Sequence, residues 1–358
     1  MAATDFPATV VVPARDEEYA IGGCLRALRE QSVGAQSLEV IVVVAGTDQT
    51  AAIARREGEG RFGRFEVVQL ESGNKNVALQ TGCRRAQADV IVLVDADTEL
   101  EPAAMDELLR ALHRDPHCVV HGAALPRIDT WVSRYWELNR QIVKQVHFDG
   151  NLSGELAALP RAALPAAELD QLLPADVSAQ DDLYLGRMLR DRGWQIAYAP
   201  EARATTLVPW TLRGLLRTML RSRRGLMRLL PFREAGLQAG KSTLVVVGAP
   251  LAVAVWRWSR WLALASMIPL LLHVVMVSRQ VLTTQRRRPG GARGALPAFL
   301  LFDLLGRALK VWAFVERIVG RNESVPFRGE RPAGVGSAQQ SSHPRENGAD
   351  IPRIARQS

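Results

Sequence analysis

Along the N-terminal part of the chain, hydrophobic positions switch repeatedly between two rhythms. Unbroken runs rich in β-branched residues occur at Ala8-Thr9-Val10-Val11-Val12-Pro13, Leu38 to Val44, Phe65 to Leu70 and Val90 to Val94. Between them, apolar residues recur every three or four positions at Tyr19 to Glu30, Gln49 to Glu57 and Val77 to Ala86. The first of these stretches places Ile21, Cys24, Leu25 and Leu28 on one face. The runs read as strands and the intervening stretches as helices, with the run before Asp95 buried on both faces as in the middle of a parallel sheet. Strands alternating with helices imply right-handed crossovers, and therefore an α/β fold with a mostly parallel sheet. Leu112 to Leu125 reads as a helix end followed by a strand at Cys118 to Ala123. Thr130 to Phe148 reads as a helix whose stripe of Trp131, Tyr135, Leu138, Ile142 and Val146 is expected to face the core.

The strand Val90 to Val94 ends in Asp95-Ala96-Asp97. In open α/β sheets the ligand crevice lies beyond the carboxyl ends of the strands, which is where this pair emerges. Residues i and i+2 of a strand share a face, so both carboxylates would reach one divalent ion and, through it, a diphosphate. The same residues also read as a helix start, with Asp97-Thr98-Glu99 as an N-cap region ahead of Pro102. Further polar turns follow the other strands: Ala14-Arg15-Asp16-Glu17-Glu18, Ala45-Gly46-Thr47-Asp48 and Glu71-Ser72-Gly73-Asn74-Lys75-Asn76.

The pattern changes at Pro209. Arg213, Arg217, Arg221, Arg224 and Arg228 recur every three or four residues and predict a basic amphipathic helix over 209–235 that lies on an anionic membrane surface. Thr243 to Trp256 and Trp261 to Ser278 are uncharged and strongly apolar, so 240–279 is expected to hold transmembrane segments, with Trp256, Trp258 and Trp261 suited to an interface. Two spans would return Arg286-Arg287-Arg288 to the cytosol but leave Arg257 and Arg260 outside. Leu296 to Val319 carries Asp303, Arg307, Lys310 and Arg317 on one side and reads as an interfacial or membrane helix over 295–320. The tail 321–358 lacks periodic hydrophobics and is expected to be disordered.

Composition sharpens this outline. The chain has 358 residues, 47% of them hydrophobic, and a net charge of +8. That charge comes largely from arginines beside the apolar C-terminal segments, which favours anionic membrane lipid as a partner over nucleic acid. No zinc-ligand spacing, aromatic RNA platform or recognition-helix pattern supports nucleic acid. Cys24, Cys83 and Cys118 lie far apart in apolar surroundings and are expected to be buried free thiols. Met1 to Pro7 contains no basic region followed by an apolar run, so no signal peptide is expected and the first domain, 7–208, should stay in the cytosol.

Taken in order, Pro13-Ala14-Arg15-Asp16-Glu17-Glu18, the Lys75 loop, Asp95-Ala96-Asp97, and Asp181-Asp182 before a helix ending at Arg192-Gly193-Trp194 resemble the family-2 glycosyltransferases. The resemblance covers roughly residues 7 to 225. It implies a GT-A fold, a nucleotide-sugar donor, Mg²⁺ or Mn²⁺, and inversion at the sugar carbon. It also implies roles for individual residues. Pro13, Arg15 and Glu17 line the nucleotide, Lys75 approaches the phosphates, and Asp95 with Ala96 faces the ribose or base. Asp97, with Asp95, binds the metal, and Asp182 takes the acceptor proton. Asp181 and Asp182 also read as carboxylates complementing a helix dipole, which is compatible with one of them reacting. Gly150-Asn151-Leu152-Ser153-Gly154 resembles the family's acceptor-side loop.

Two departures from the family pattern matter. The second strand lacks the usual aspartate pair, and Asp48 is expected to serve its turn. Thr218-Met219-Leu220-Arg221-Ser222 stands where membrane-bound synthases carry Gln-x-x-Arg-Trp; it keeps Arg221, which can bind diphosphate. A single transfer to a lipid-linked or membrane-associated acceptor at the cell inner membrane is therefore expected. A processive polysaccharide synthase and a catalytically silent GT-A scaffold are the alternatives.

Overall fold

Val10, Val11 and Val12 are β-branched and stiff, which favours an extended backbone, and they form the middle of β1 (Thr9–Arg15). In the computed structural model, which describes residues 6–71, 74–142, 152–177, 179–287 and 296–320, β1 lies between β2 (Glu39–Ala45) and β4 (Val90–Val94). Both pairings are parallel, and β3 (Arg64–Leu70) adds to β2 in the same sense. The crossovers are α1 (Ile21–Arg29), α2 (Thr50–Gly58) and α3 (Lys75–Arg85). Side chains alternate across the sheet. Val10, Val12, Val92 and Val94 join Leu25 and Leu28 on one face, whereas Val11, Ile91 and Leu93 meet Leu79 on the other.

Beyond β4 the sheet changes sense. The chain continues through β5 (Glu99–Leu100), α4 (Ala104–His113), β6 (Cys118–Pro126), α5 (Trp131–Gln141), β7 (Leu156–Pro160), α6 (Leu169–Leu172), α7 (Asp181–Asp191) and β8 (Gln195–Thr206). The strand order is β3-β2-β1-β4-β7-β6-β8-β5. β7 runs antiparallel to both β4 and β6, β8 is parallel to β6, and β5 closes the edge antiparallel to β8. The sheet is thus a parallel half joined to a mixed half. Val94 pairs with Leu156, which sets Glu155 beside Asp95, and Asp95 N–H donates to Glu155 O at 3.2 Å. Cys24, Cys83 and Cys118 are buried and free.

Thr130 caps α5 in a capping box with Ser133. Tyr135, Leu138 and Ile142 of the expected stripe are buried, and Trp131 is exposed and stacks on Phe302. Residues 143–148 of that helix reading, Gly150 and Asn151 of the acceptor-side loop, and the tail 321–358 lie outside the described residues.

The C-terminal helices are α8 (Leu212–Leu229), α9 (Phe232–Val255), α10 (Arg260–Arg287) and α11 (Leu296–Ile318). The arginines of α8 do not form the single lipid-facing stripe expected of them. Arg213, Arg217 and Arg228 are exposed, but Arg224 is locked to Glu316 of α11, Nε to Oε2 at 2.7 Å, in a two-pronged pair. Arg221 turns toward the carboxylates described below. Over a helix of this length, positions three and four apart drift around the axis, so one run of arginines serves different neighbours. α9 and α10 are long and apolar enough to cross a membrane, and both expose leucine and valine faces. They approach closely at Gly248, where a Cβ would stand 2.6 Å from Ser266 O and where Ser266 Oγ donates to Gly248 O.

Leu108 of α4 is fully buried in the larger core. Leu108→Ala is expected to lower unfolding free energy by about 2–5 kcal/mol in denaturant titrations, whereas Arg213→Ala at an exposed site should change it by less than about 0.5 kcal/mol.

Candidate active site

The loops after β1 and β2 hold each other. Asp16 takes φ 53° and Gly46 takes φ 107°, and a Cβ on Gly46 would collide with Asp16 Oδ1. Asp48 Oδ1 accepts from Thr50 N at 3.0 Å, its Oδ2 accepts from Glu18 N at 3.2 Å, and Thr50 Oγ1 accepts from Glu17 N at 2.8 Å. Asp48 therefore ties the two turns together, and its oxygens are occupied in doing so.

Asp95 and Asp97 do not share a strand face. β4 stops at Val94, and Asp95 to Thr98 forms a turn closed by Thr98 N–H donating to Asp95 O at 3.0 Å. The helix-start reading fails as well: Glu99–Leu100 is a strand, and α4 begins after Ala103 without a side-chain cap. Asp97 is fixed by neighbours of the mixed half of the sheet. Its Oδ1 accepts from Thr206 Oγ1 at 3.2 Å, and its carbonyl accepts from Arg127 Nη2 at 2.7 Å.

Lys75 opens α3 behind the N-cap Asn74, whose side chain accepts from Asn76 N and Val77 N. Its Nζ lies 2.6 Å from Asp95 Oδ1 and 3.6 Å from Asp181 Oδ2. Asp181 and Asp182 form the first turn of α7, directly after Gln180 at φ 63°. A left-handed non-glycine residue is a strained conformation of the kind found at functional sites. Gly154 packs over both groups: a Cβ there would stand 3.3 Å from Asp182 Cβ and 3.5 Å from Lys75 Nζ. Pro13, Lys75, Asp95, Ser153, Gly154, Asp181 and Asp182 line a cleft with apolar walls from Leu79, Leu93, Leu152, Leu173 and Leu185.

The remaining expected residues sit around this cleft. Glu17 interacts electrostatically with Asp95 and Asp97, and its Oε2 is buried without a partner. Arg221 faces Asp181, Asp182 and Asp95. Ala96 is buried in the Asp95 turn, and Arg15 is exposed at the end of β1. Sequence reasoning missed Glu155, which pairs with Arg140 at 2.8 Å and adds its charge to Asp95, Asp97 and Asp182. It also missed Arg127 and Thr206. The alanine-rich β7 carried no β-branched signal that would have drawn attention to the residue before it.

Burial sets the protonation of this cluster, and mutual repulsion reinforces it. Asp182 is pushed up to about 6 by burial, then by Asp181 and Glu155, against the pull of Lys75. Burial also lifts Asp95 to about 7, outweighing Lys75, and Glu17 to about 8, with Asp97 adding to it. Asp97 moves up for the same first reason. Burial alone would depress Lys75, but Asp95 and Asp181 hold it above the ordinary lysine range. The carboxylates outweigh the cations that face them. Among the described residues no three or more His, Cys, Asp or Glu side chains form a closed metal cage. The surplus of oxygen donors and the orphaned Glu17 Oε2 do fit a hard divalent ion whose other ligands come from phosphate and water.

A parallel α/β half with an acidic turn after its central strand, a lysine reaching into that turn and a further acidic pair across the cleft defines a nucleotide-sugar-dependent glycosyltransferase of GT-A fold. The model of the glycosyltransferase like family 2 matches residues 7–225, and the chain belongs to that family. Relatives include an N-acetylglucosaminyltransferase of Rhizobium sp. (strain N33), 27% identical over 396 residues that cover 96% of this chain and 85% of that one. Another is an N-acetylglucosaminyltransferase of Sinorhizobium fredii (strain NBRC 101917 / NGR234), 27% identical over 291 residues, 73% of this chain and 68% of that one. Among solved structures, mannosyltransferase PcManGT from Pyrobaculum calidifontis, in complex with GDP-Man and Mn²⁺, superposes with a TM-score of 0.51. It is 20% identical, covers 89% of this chain and 90% of its own, and shares the fold.

The raised carboxyls give stability a pH slope. A group whose folded value lies above its unfolded one binds more protons when folded, so stability falls as pH rises between the two. For Asp182 and Asp95 that window runs from the unfolded 3.8 to about 6 and about 7. Metal-free protein should therefore melt at lower temperature as pH is raised through this window, and Asp95→Asn/Asp182→Asn should flatten the slope. An unchanged slope in the double variant would contradict the assignment.

Proposed function

We propose that the chain transfers a sugar from a nucleotide-sugar donor, with inversion, to a lipid-linked or membrane-associated acceptor at the cytoplasmic face of the cell inner membrane. The observation that carries this reading is the convergence of cations and carboxylates on one cleft. Lys75 reaches both Asp95 and Asp181, Arg221 lies near Asp181, Asp182 and Asp95, and the Asp182 carboxyl is pushed up to about 6 by burial. N-acetylglucosamine is the first sugar to test, because the relatives are named for its transfer.

In this reading Pro13, Arg15, Glu17 and Ala96 shape the nucleotide pocket and Asp95 holds the ribose or base. Asp97, with Asp95, would hold Mg²⁺ or Mn²⁺, which when bound neutralises charge developing on the leaving diphosphate. Lys75 and Arg221 add positive charge to the same oxygens. Asp182 accepts the proton of the acceptor hydroxyl while that oxygen bonds to the sugar carbon and the carbon–phosphate-oxygen bond breaks on the opposite face. Glu155 and Asp181 keep the Asp182 carboxylate basic enough for this. Thr218 and Ser222, in place of the synthase glutamine and tryptophan, support a single transfer over a processive one. The segments 240–279 would hold the domain 7–208 at the bilayer, with 295–320 lying beside them and 321–358 a disordered tail.

Nucleotide release from UDP-, GDP- and dTDP-sugars should be measured with lipid extract as acceptor source. Asp182→Asn should lower kcat by roughly 10²–10⁴ with little change in KM, as loss of a general base does. The wild-type rate should rise with pH to a plateau above about 6. Asp97→Ala should abolish metal-dependent release. Turnover that survives Asp182→Asn would remove this residue from the mechanism.

A further inference from the structure

Away from the cleft, α8, α10 and α11 gather a second charged group. Asp303 Oδ2 of α11 lies 2.5 Å from His273 Nε2 of α10 and accepts from Arg307 Nε–H at 3.0 Å, and Arg307 Nε also lies 3.0 Å from His273 Nε2. Its negative charge is thereby engaged. Arg223 of α8 approaches the same group, close to Asp303, Arg307 and Tyr135, and its Nε is buried without a partner. Lys310 lies near Arg223 and Arg307, and its Nζ lies 3.5 Å from Gln238 Oε1 of α9. Among the described residues neither Arg223 nor Lys310 has a carboxylate within ion-pair distance. Burial and the two neighbouring guanidiniums pull Lys310 down to about 8, the response of a cation among cations.

Three part-buried cations beside the single carboxylate of Asp303 leave a surplus of positive charge, which a folded chain retains where something else supplies the counter-charge. We propose that Arg223, Arg307 and Lys310 bind a phosphate-bearing anion between α8, α10 and α11. Guanidinium forks and an ammonium suit phosphate oxygens. The adjoining surfaces of α10 and α11 expose Leu271, Leu272 and Leu301, so an anion carried on apolar chains would be covered along its length. The site is separate from the sugar-transfer cleft. Arg221 and Arg223 lie two positions apart, about 200° around the helix, and α8 turns one toward each.

The test uses the full-length protein in neutral detergent, with phosphatidic acid, phosphatidylcholine and inorganic phosphate as probes and thermal unfolding as readout. Phosphatidic acid should raise the melting temperature and phosphatidylcholine should not. Lys310→Gln should shift half-saturation upward by roughly tenfold, and Arg213→Gln, at an exposed position of the same helix, should leave it unchanged. Arg223→Met should stabilise the probe-free protein while losing the response, the opposite of what an arginine with a purely structural role would do. An equal response to inorganic phosphate identifies a free anion as the ligand, and a response to phosphatidic acid alone identifies a lipid headgroup. No response to either probe, or a response lost equally in Arg213→Gln, overturns the proposal.

Discussion

One ammonium group makes the catalytic half of this molecule possible. Asp95, Asp97, Glu155, Asp181 and Asp182 come from three separate segments and repel one another at close quarters. Lys75 Nζ, at 2.6 Å from Asp95 and 3.6 Å from Asp181, is the charge that bridges the turn after β4 and the start of α7. Lys75 is itself placed by the Asn74 cap at the head of α3, and α3 is placed by its packing on β1. Coulombic attraction in a partly buried site thus decides where two distant pieces of chain meet. The balance stays negative, which leaves the cleft receptive to a cation and holds Asp182 close to neutrality.

The sheet contributes in two different ways. Its parallel half delivers loops to a common edge, as open α/β sheets do. Its mixed half brings in β7 against β4, so that a backbone hydrogen bond joins Glu155 to Asp95, and brings in β8, whose Thr206 fixes Asp97. The acidic turn is therefore clamped from the side that sequence periodicity left undescribed. α8 completes the arrangement by presenting Arg221 to the cleft while Arg224 anchors the helix to α11.

Much of this was legible in the order of residues. Continuous β-branched runs announced β1 to β4, and the spacing of Ile21, Cys24, Leu25 and Leu28 announced α1, because burial on both faces and helical periodicity are local signals. The grouping of Lys75, Asp95, Asp181 and Asp182 followed from resemblance, and the structure brings the four together. What stayed hidden depends on long-range pairing. Leu156-Ala157-Ala158-Leu159-Pro160 has no strand composition of its own and becomes a strand because β4 and β6 offer it hydrogen bonds on both edges. The arginines of α8 looked like one stripe because sequence cannot tell a lipid-facing guanidinium from one committed to Glu316. Asp95 and Asp97 looked like strand neighbours because the end of β4 at Val94 is set by a turn and not by a change in hydrophobicity.

The Arg224–Glu316 pair joins residues separated by 92 positions. A ribosome adds about 5–20 residues per second, so on the order of ten seconds pass between synthesis of α8 and synthesis of its partner. During that interval the helix that supplies Arg221 lacks the carboxylate that will hold Arg224. The residues that line the cleft are therefore all made before the anchor that ties α8 to α11 exists, so the order of translation sets the cleft walls ahead of that tie.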